Sequence, residues 1–172
     1  MKAIYLTGFM GAGKTTIGQE LANRLQLPVI DTDLYIVEQV GKTIPEIFAE
    51  DGEKVFRKYE REYIQKLPTE DVIITTGGGI VIQEENRNWM KEHGTVIYLH
   101  CEIEEVFNRV STDGSRPLIE KNQKEKVIDL YHSRLSFYNE ADVIVDTTQK
   151  NIDDVVKEID DVLKNLKSGD TL

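Results

Sequence analysis

With 172 residues, 40% of them hydrophobic and 30% charged, the chain has the length and composition of one globular domain that can bury its own core. Its formal net charge of −10 disfavours nucleic acid and anionic membranes as partners, yet allows an anionic small molecule held by a few local arginines. Cys101 is the single cysteine, which excludes an internal disulfide and a cysteine-rich metal site.

The first apolar run, Ala3–Leu6, is too short for a signal peptide or a membrane span and reads as a strand, so a cytoplasmic protein is expected. It leads into Gly8-Phe9-Met10-Gly11-Ala12-Gly13-Lys14-Thr15, which satisfies GxxxxGKT in full. A helical pattern over Thr15–Leu25 follows, repeating Ile17, Leu21 and Leu25 on one face. Strand, loop and helix in this order form a phosphate cradle. The glycines let successive N–H groups turn inward, and the helix points its positive end at the same spot. Lys14 is expected to bridge the β- and γ-phosphates of ATP, and the Thr15 hydroxyl to ligate Mg²⁺. Phe9 and Met10 are expected to be loop fillers facing the core.

A second run, Pro28–Ile30, ends at Asp31 and Asp33. Groups just past the carboxyl ends of parallel strands share one edge of the sheet, the edge on which the phosphate loop opens. If the extended conformation persists, the two carboxylates point in related directions. One then holds Mg²⁺ through water and the other meets a substrate hydroxyl. The alternative is that either aspartate caps a helix beginning near Leu34.

The interval from Ile30 to Val72 exceeds one crossover and holds two or three helical pieces, among them Gly52–Leu67 with Val55, Phe56, Tyr59, Tyr63 and Leu67 at helical spacing. It is expected to be a substrate-binding insertion. Arg57 and Arg61 lie on it; Glu60, three residues after Arg57, either orients that arginine or makes a common surface pair with it.

A third run, Val72–Thr75, leads into Thr76-Gly77-Gly78-Gly79, a backbone able to approach a ligand closely. The fourth run, Val96–Leu99, precedes Cys101, read as a partly buried small hydrophobe. Helical patterns over Glu102–Val110 and Glu120–Asn139 flank the polar stretch Ser111–Leu118, a candidate mobile lid that carries Arg116. The fifth run, Val143–Val145, is followed by a helix over Ile152–Leu166 with Asp153 and Asp154 near its start and Lys164 and Lys167 near its end, as the helix dipole favours. His93, His100 and His132 lack ligand spacing and read as structural or surface residues. Short Val/Ile-rich runs alternating with helices predict a three-layer α/β domain around a five-stranded parallel sheet buried on both faces.

Taken in order, GFMGAGKT at Gly8–Thr15, Asp31-Thr32-Asp33, Phe56-Arg57-Lys58-Tyr59-Glu60, the TTGGG stretch ending at Gly79, Arg116-Pro117-Leu118 and Arg134 in the helix ending near Tyr138 resemble the shikimate kinase family of small P-loop kinases over nearly the whole chain. The resemblance implies a P-loop kinase fold with strand order 2-3-1-4-5, spanning 1–172 with an acceptor-binding insertion at 32–62 and a lid at 111–119. It implies ATP-dependent phosphorylation of the 3-hydroxyl of shikimate, with Mg²⁺; a monomer is expected because one compact domain with a closing lid needs no partner. By likeness, Gly11, Ala12, Gly13, Lys14, Thr15 and Thr16 hold the nucleotide, with Arg109 against the adenine and Arg116 on the γ-phosphate. Asp33 meets the shikimate hydroxyls, Arg57 and Arg134 clamp its carboxylate, Glu60 supports Arg57, Gly77, Gly78 and Gly79 offer backbone contacts, and Asp31 holds the Mg²⁺ water shell beside Thr15.

Two features depart from common patterns. Residues 147–151 carry no proline to help frame an adenine, and no acidic residue ends the third run. The nearest competing reading is a gluconate-type or other small-metabolite kinase. A nucleoside monophosphate kinase would want more arginines in a longer lid. A guanine-nucleotide switch would want an Asn-Lys-x-Asp segment, which the chain lacks.

Overall fold

The computed structural model describes residues 1–112 and 121–169. Strands β1 (Ala3–Thr7), β2 (Val29–Asp31), β3 (Ile73–Thr75), β4 (Gly94–His100) and β5 (Val143–Asp146) pair in parallel, in the order β2-β3-β1-β4-β5. This is the expected order. β1 is central, with Ile4 opposite Ile73 on one side and Thr95 on the other, and every residue of it is buried. β2 and β5 are edge strands. β2 is only half-buried and Ile144 of β5 is exposed, so two-sided burial holds for the middle of the sheet and not for its rims, where helices cover less of each face.

The helices are α1 (Lys14–Leu25), α2 (Thr32–Val40), α3 (Ile44–Glu50), α4 (Glu53–Ile64), α5 (Glu84–His93), α6 (Ile103–Thr112), α7 (Lys121–Tyr138) and α8 (Ile152–Gly169), with a 3₁₀ turn at Ile80–Ile82. α5 carries too few apolar residues to announce itself in the sequence: it is anchored by buried Asn86 and Met90, with Asn86 donating to the Ile80 carbonyl. Burying each large aliphatic of the central core contributes about 1.5–3 kcal/mol.

Helices α2, α3 and α4 form the insertion between β2 and β3, around a separate apolar cluster of Ile36, Ile47 and Phe56. A capping box of Thr43 and Glu46, with Pro45 in the first turn, starts α3. Lys42 reaches Glu50 and Asp51 at its other end.

The extended conformation does not persist from Asp31 to Asp33. Asp31 is itself the N-cap of α2, which begins at Thr32 and not near Leu34; its Oδ1 accepts from the N–H groups of Asp33 and Leu34. Of the stretch expected to be a lid, α6 takes Ser111 and Thr112. The rest of that stretch, with Arg116, lies outside the described residues. No described helix is long and apolar enough to cross a membrane.

Candidate active site

The phosphate loop runs from the end of β1 to the start of α1, with Gly11 and Gly13 at φ of 76° and 91°, a region that side chains disfavour. Gly13 caps α1, so Lys14, Thr15 and Thr16 form the first turn, and both threonines are exposed. Lys14 Nζ donates to the carbonyls of Gly8 at 2.7 Å and Phe9 at 3.1 Å. Burial lowers its ammonium to about 8, although Asp33 and Asp31 pull it upward.

The two aspartates take different positions. Both Asp31 oxygens are engaged: besides its two capping bonds, its Oδ2 accepts from the Thr75 hydroxyl at 2.9 Å, which ties α2 to β3 and leaves that oxygen a free lone pair. Asp33 points inward. Its Oδ1 is buried with no hydrogen-bond partner among the described residues. Burial and the nearby Asp31 raise its carboxyl above the usual range, while Lys14 and Arg57 oppose.

Three consecutive glycines face three charged side chains. A β-carbon on Gly77 would overlap the Asp33 carboxylate, and one on Gly79 would overlap the Arg57 guanidinium. One on Gly78 would sit at ordinary contact, 3.6 Å from Arg134 Nη1 and 3.6 Å from the Tyr138 hydroxyl. The strip is held by its own bonds, Gly77 N–H to Thr32 Oγ1 and Tyr138 hydroxyl to the Gly78 carbonyl. The Gly77 amide is therefore already used within the fold.

Arg57 and Glu60 are not a surface pair. Glu60 is 1% exposed and accepts from Arg57 Nη1 at 2.6 Å, while exposed Glu53 accepts from Nη2. Burial raises the Glu60 carboxyl to about 7 in spite of Arg57. Glu60 Oε2, Arg57 Nε and Arg134 Nε are also buried without partners among the described residues. Such groups cost about 1–3 kcal/mol each if left so.

On the far side of the phosphate loop, Gly11, Thr16, Arg109, Thr147, Lys150 and Asn151 line an open cleft. Arg109 is fixed there by the carbonyls of Gly11 and Thr147, the Thr147 hydroxyl and Glu105. Thr147 is held in turn by the His100 carbonyl.

Elsewhere, Cys101 is fully buried and its thiol is pushed up by burial, as suits a packing residue. His93 bonds the Trp89 carbonyl, His100 sits between Tyr98 and Glu102, and His132 is exposed. No cluster of three or more His, Cys, Asp or Glu able to hold a metal occurs among the described residues. Phe9 is buried as expected, against Tyr131 and Arg134. Sequence reasoning missed Thr32, Thr75, Tyr138 and Thr147, which hold the named residues. Thr32 and Thr75 stood inside the Asp31-Thr32-Asp33 and TTGGG strings and Tyr138 at helical spacing from Tyr131 and Arg134, but nothing in the sequence assigned them these partners.

A phosphate loop facing a glycine strip ringed by Asp33, Arg57 and Arg134 has the two halves of a phosphotransferase, and comparison with known proteins gives the same answer. A family model described as shikimate kinase matches residues 10–164. A shikimate kinase of Bacillus cytotoxicus is 52% identical over 155 residues, covering 90% of this chain and 94% of the relative. One from Enterococcus faecalis is 42% identical over 158 residues, covering 90% and 94%. The solved structure of Acinetobacter baumannii shikimate kinase in complex with shikimate superposes with a TM-score of 0.88 at 36% identity, covering 97% of this chain and 95% of that one. With that coverage and those identities, the chain belongs to the shikimate kinase family.

Proposed function

We propose that the protein transfers the γ-phosphoryl group of ATP to the 3-hydroxyl of shikimate, giving shikimate 3-phosphate and ADP. The hydroxyl oxygen bonds to the γ-phosphorus as the bond to the β–γ bridging oxygen breaks, and the hydroxyl proton leaves toward Asp33. The observation that carries the acceptor half is the glycine strip, against which one carboxylate and two guanidinium groups are packed with unpartnered buried atoms. That set suits a compact polyol bearing one carboxylate: Arg57 and Arg134 clamp the carboxylate, and Asp33 accepts from a hydroxyl.

In the donor half, Gly11, Ala12, Gly13, Thr15 and Thr16 wrap the phosphates, which replace the Gly8 and Phe9 carbonyls as partners of Lys14. Adenine lies against Arg109; Ile152, exposed in the same cleft, offers apolar surface where a proline is missing. Mg²⁺ fits a hard-oxygen donor set of the Thr15 hydroxyl and, through water, Asp31, whose carboxylate is oriented by its three donors. When bound it neutralises charge on the β- and γ-phosphates. By likeness to the family, Arg116, which lies outside the described residues, would complete the charge balance on the transferring group. Phosphoryl transfer asks a protein mainly for in-line positioning and charge neutralisation, which these residues supply.

An ADP-release assay with ATP, Mg²⁺ and a panel of shikimate, gluconate and nucleoside monophosphates tests the reading. Release is expected with shikimate; gluconate-dependent release alone would reassign the acceptor.

A further inference from the structure

Oδ1 of Asp33 is buried with no hydrogen-bond partner among the described residues, so it is placed by the backbone that carries it and by the glycine it rests on. A β-carbon on Gly77 would fall 2.5 Å from that oxygen. The two residues before Asp33 fix its backbone. Asp31 Oδ1 accepts from the Asp33 N–H at 2.9 Å, and Thr32 Oγ1 accepts from the Gly77 N–H at 3.0 Å. Thr32 is the first residue of α2 and is 3% exposed. Gly77 is itself firmly placed. Thr76, just before it, donates to the Leu6 carbonyl of β1 from its N–H at 3.1 Å and from its hydroxyl at 3.0 Å. The Gly77 carbonyl accepts from the Ile80 N–H at 3.1 Å. The phosphate loop begins at Gly8, a short step along the chain from Leu6.

We infer that Thr32 is a positioning residue for the transfer: its hydroxyl docks the first turn of α2 on Gly77 and so sets the distance between the Asp33 carboxylate and the phosphate loop. The inference rests on the proposed function, in which Asp33 meets the attacking hydroxyl. The path is continuous, running from β1 through Thr76 and Gly77 to Thr32 and the adjacent Asp33, and every link is a hydrogen bond or a peptide bond. In-line transfer is sensitive to this spacing, since a misplacement of about 1 Å can cost about a hundredfold in rate. The two arginines lie off the path: Arg57 is held by Glu60 of α4, and Arg134 is carried by α7. Losing the Thr32 hydroxyl therefore leaves the carboxylate clamp in place and disturbs the reacting end of the acceptor site.

Thr32→Val keeps the branched shape and removes the acceptor of the Gly77 N–H, while the Asp31 cap and its bond to Thr75 still hold the start of α2. In steady-state assays kcat is expected to fall about tenfold or more, with the KM of shikimate and that of ATP each within about threefold of wild type. Thr32→Ser, which restores the hydroxyl, is expected to bring kcat back to within about threefold of wild type. Amide hydrogen exchange gives a readout independent of turnover. The Gly77 N–H is expected to exchange about tenfold faster in Thr32→Val and at nearly the wild-type rate in Thr32→Ser. Should Thr32→Val melt below the assay temperature, Thr32→Ala carries the same expectations. An unchanged kcat, unchanged Gly77 exchange, or an equal loss in Thr32→Ser would overturn the inference. So would a rise confined to the shikimate KM, which would mean that the bond serves the seat of Arg57 on Gly79 instead. Wild-type enzyme that fails to turn over shikimate overturns the functional reading and the inference together. Wild-type turnover with an unaltered Thr32→Val overturns only the threonine's role.

Discussion

The Arg57 guanidinium lies on the backbone of Gly79, in the space that a β-carbon at residue 79 would occupy. Glu60 holds it there from α4, so the arginine is oriented from one side and seated from the other. Gly79→Ala therefore displaces the far end of a flexible side chain and leaves the core unchanged. The shikimate KM is expected to rise roughly tenfold or more, with little change in melting temperature and none in the ATP KM. Gly78→Ala, where the new atom meets nothing closer than 3.5 Å, is the control and is expected to be milder. Steady-state kinetics on both variants, with Arg57→Ala beside them, check this.

Glu60, the buried partner of Arg57, makes stability depend on pH. Its carboxyl stands at about 7 in the fold, raised above its ordinary value by burial. The folded protein thus holds a proton that the unfolded chain has released, and wild-type stability falls as pH rises from the ordinary glutamate range to about 7. Glu60→Gln lacks this titration. Its stability relative to wild type is expected to improve with rising pH across that window and to level off above it. Denaturant unfolding at pH 5, 6, 7 and 8 measures the difference; a constant difference would show that Glu60 does not titrate there.

Lys14 has the opposite linkage. Its folded pKa of about 8 lies below the ordinary lysine value, because burial penalises the ammonium. The free enzyme therefore loses the Lys14 charge as pH rises through about 8, and its attraction for the nucleotide phosphates with it. The ATP KM is expected to rise across that range, and ATP binding at pH 8 to 9 is expected to take up protons, seen by calorimetry in buffers of different ionisation heat. Lys14→Ala should lower kcat by about a hundredfold or more, as for other preorganised donors to a transferring group.

Arg109 tests the donor side separately. Its guanidinium is tied to both walls of the cleft proposed to take the nucleotide, Gly11 and Thr147. Arg109→Ala is expected to raise the ATP KM about tenfold while sparing the shikimate KM, because the acceptor strip lies across the phosphate loop. Thr147→Val removes one anchor and is expected to give a smaller shift in the same direction.

The donor half was legible in the residues because its chemistry is local. Gly8–Thr15 is a contiguous backbone device, and a loop between an apolar run and an amphipathic helix specifies it without reference to the rest of the chain. The parallel sheet was legible for a related reason, since its short Val/Ile-rich runs show burial directly; the strand order came with the family resemblance. α5 was missed because Met90 and the partly buried Trp89 are its only large apolar residues, and its other buried anchor, Asn86, is polar. The acceptor half depended on tertiary structure. Sequence left Asp31 open as a cap or a metal-site carboxylate, and the fold makes it the cap of α2 while Thr75 orients its other oxygen. Sequence left Glu60 open as a surface partner or a buried support, and packing of α4 buries it. The Tyr138–Gly78 bond and the seats of Arg57 on Gly79 and Asp33 on Gly77 join elements far apart in the chain. Burial and through-space contact arise only when those elements pack together, so local pattern could name the charged residues of the site but not what holds each of them in place.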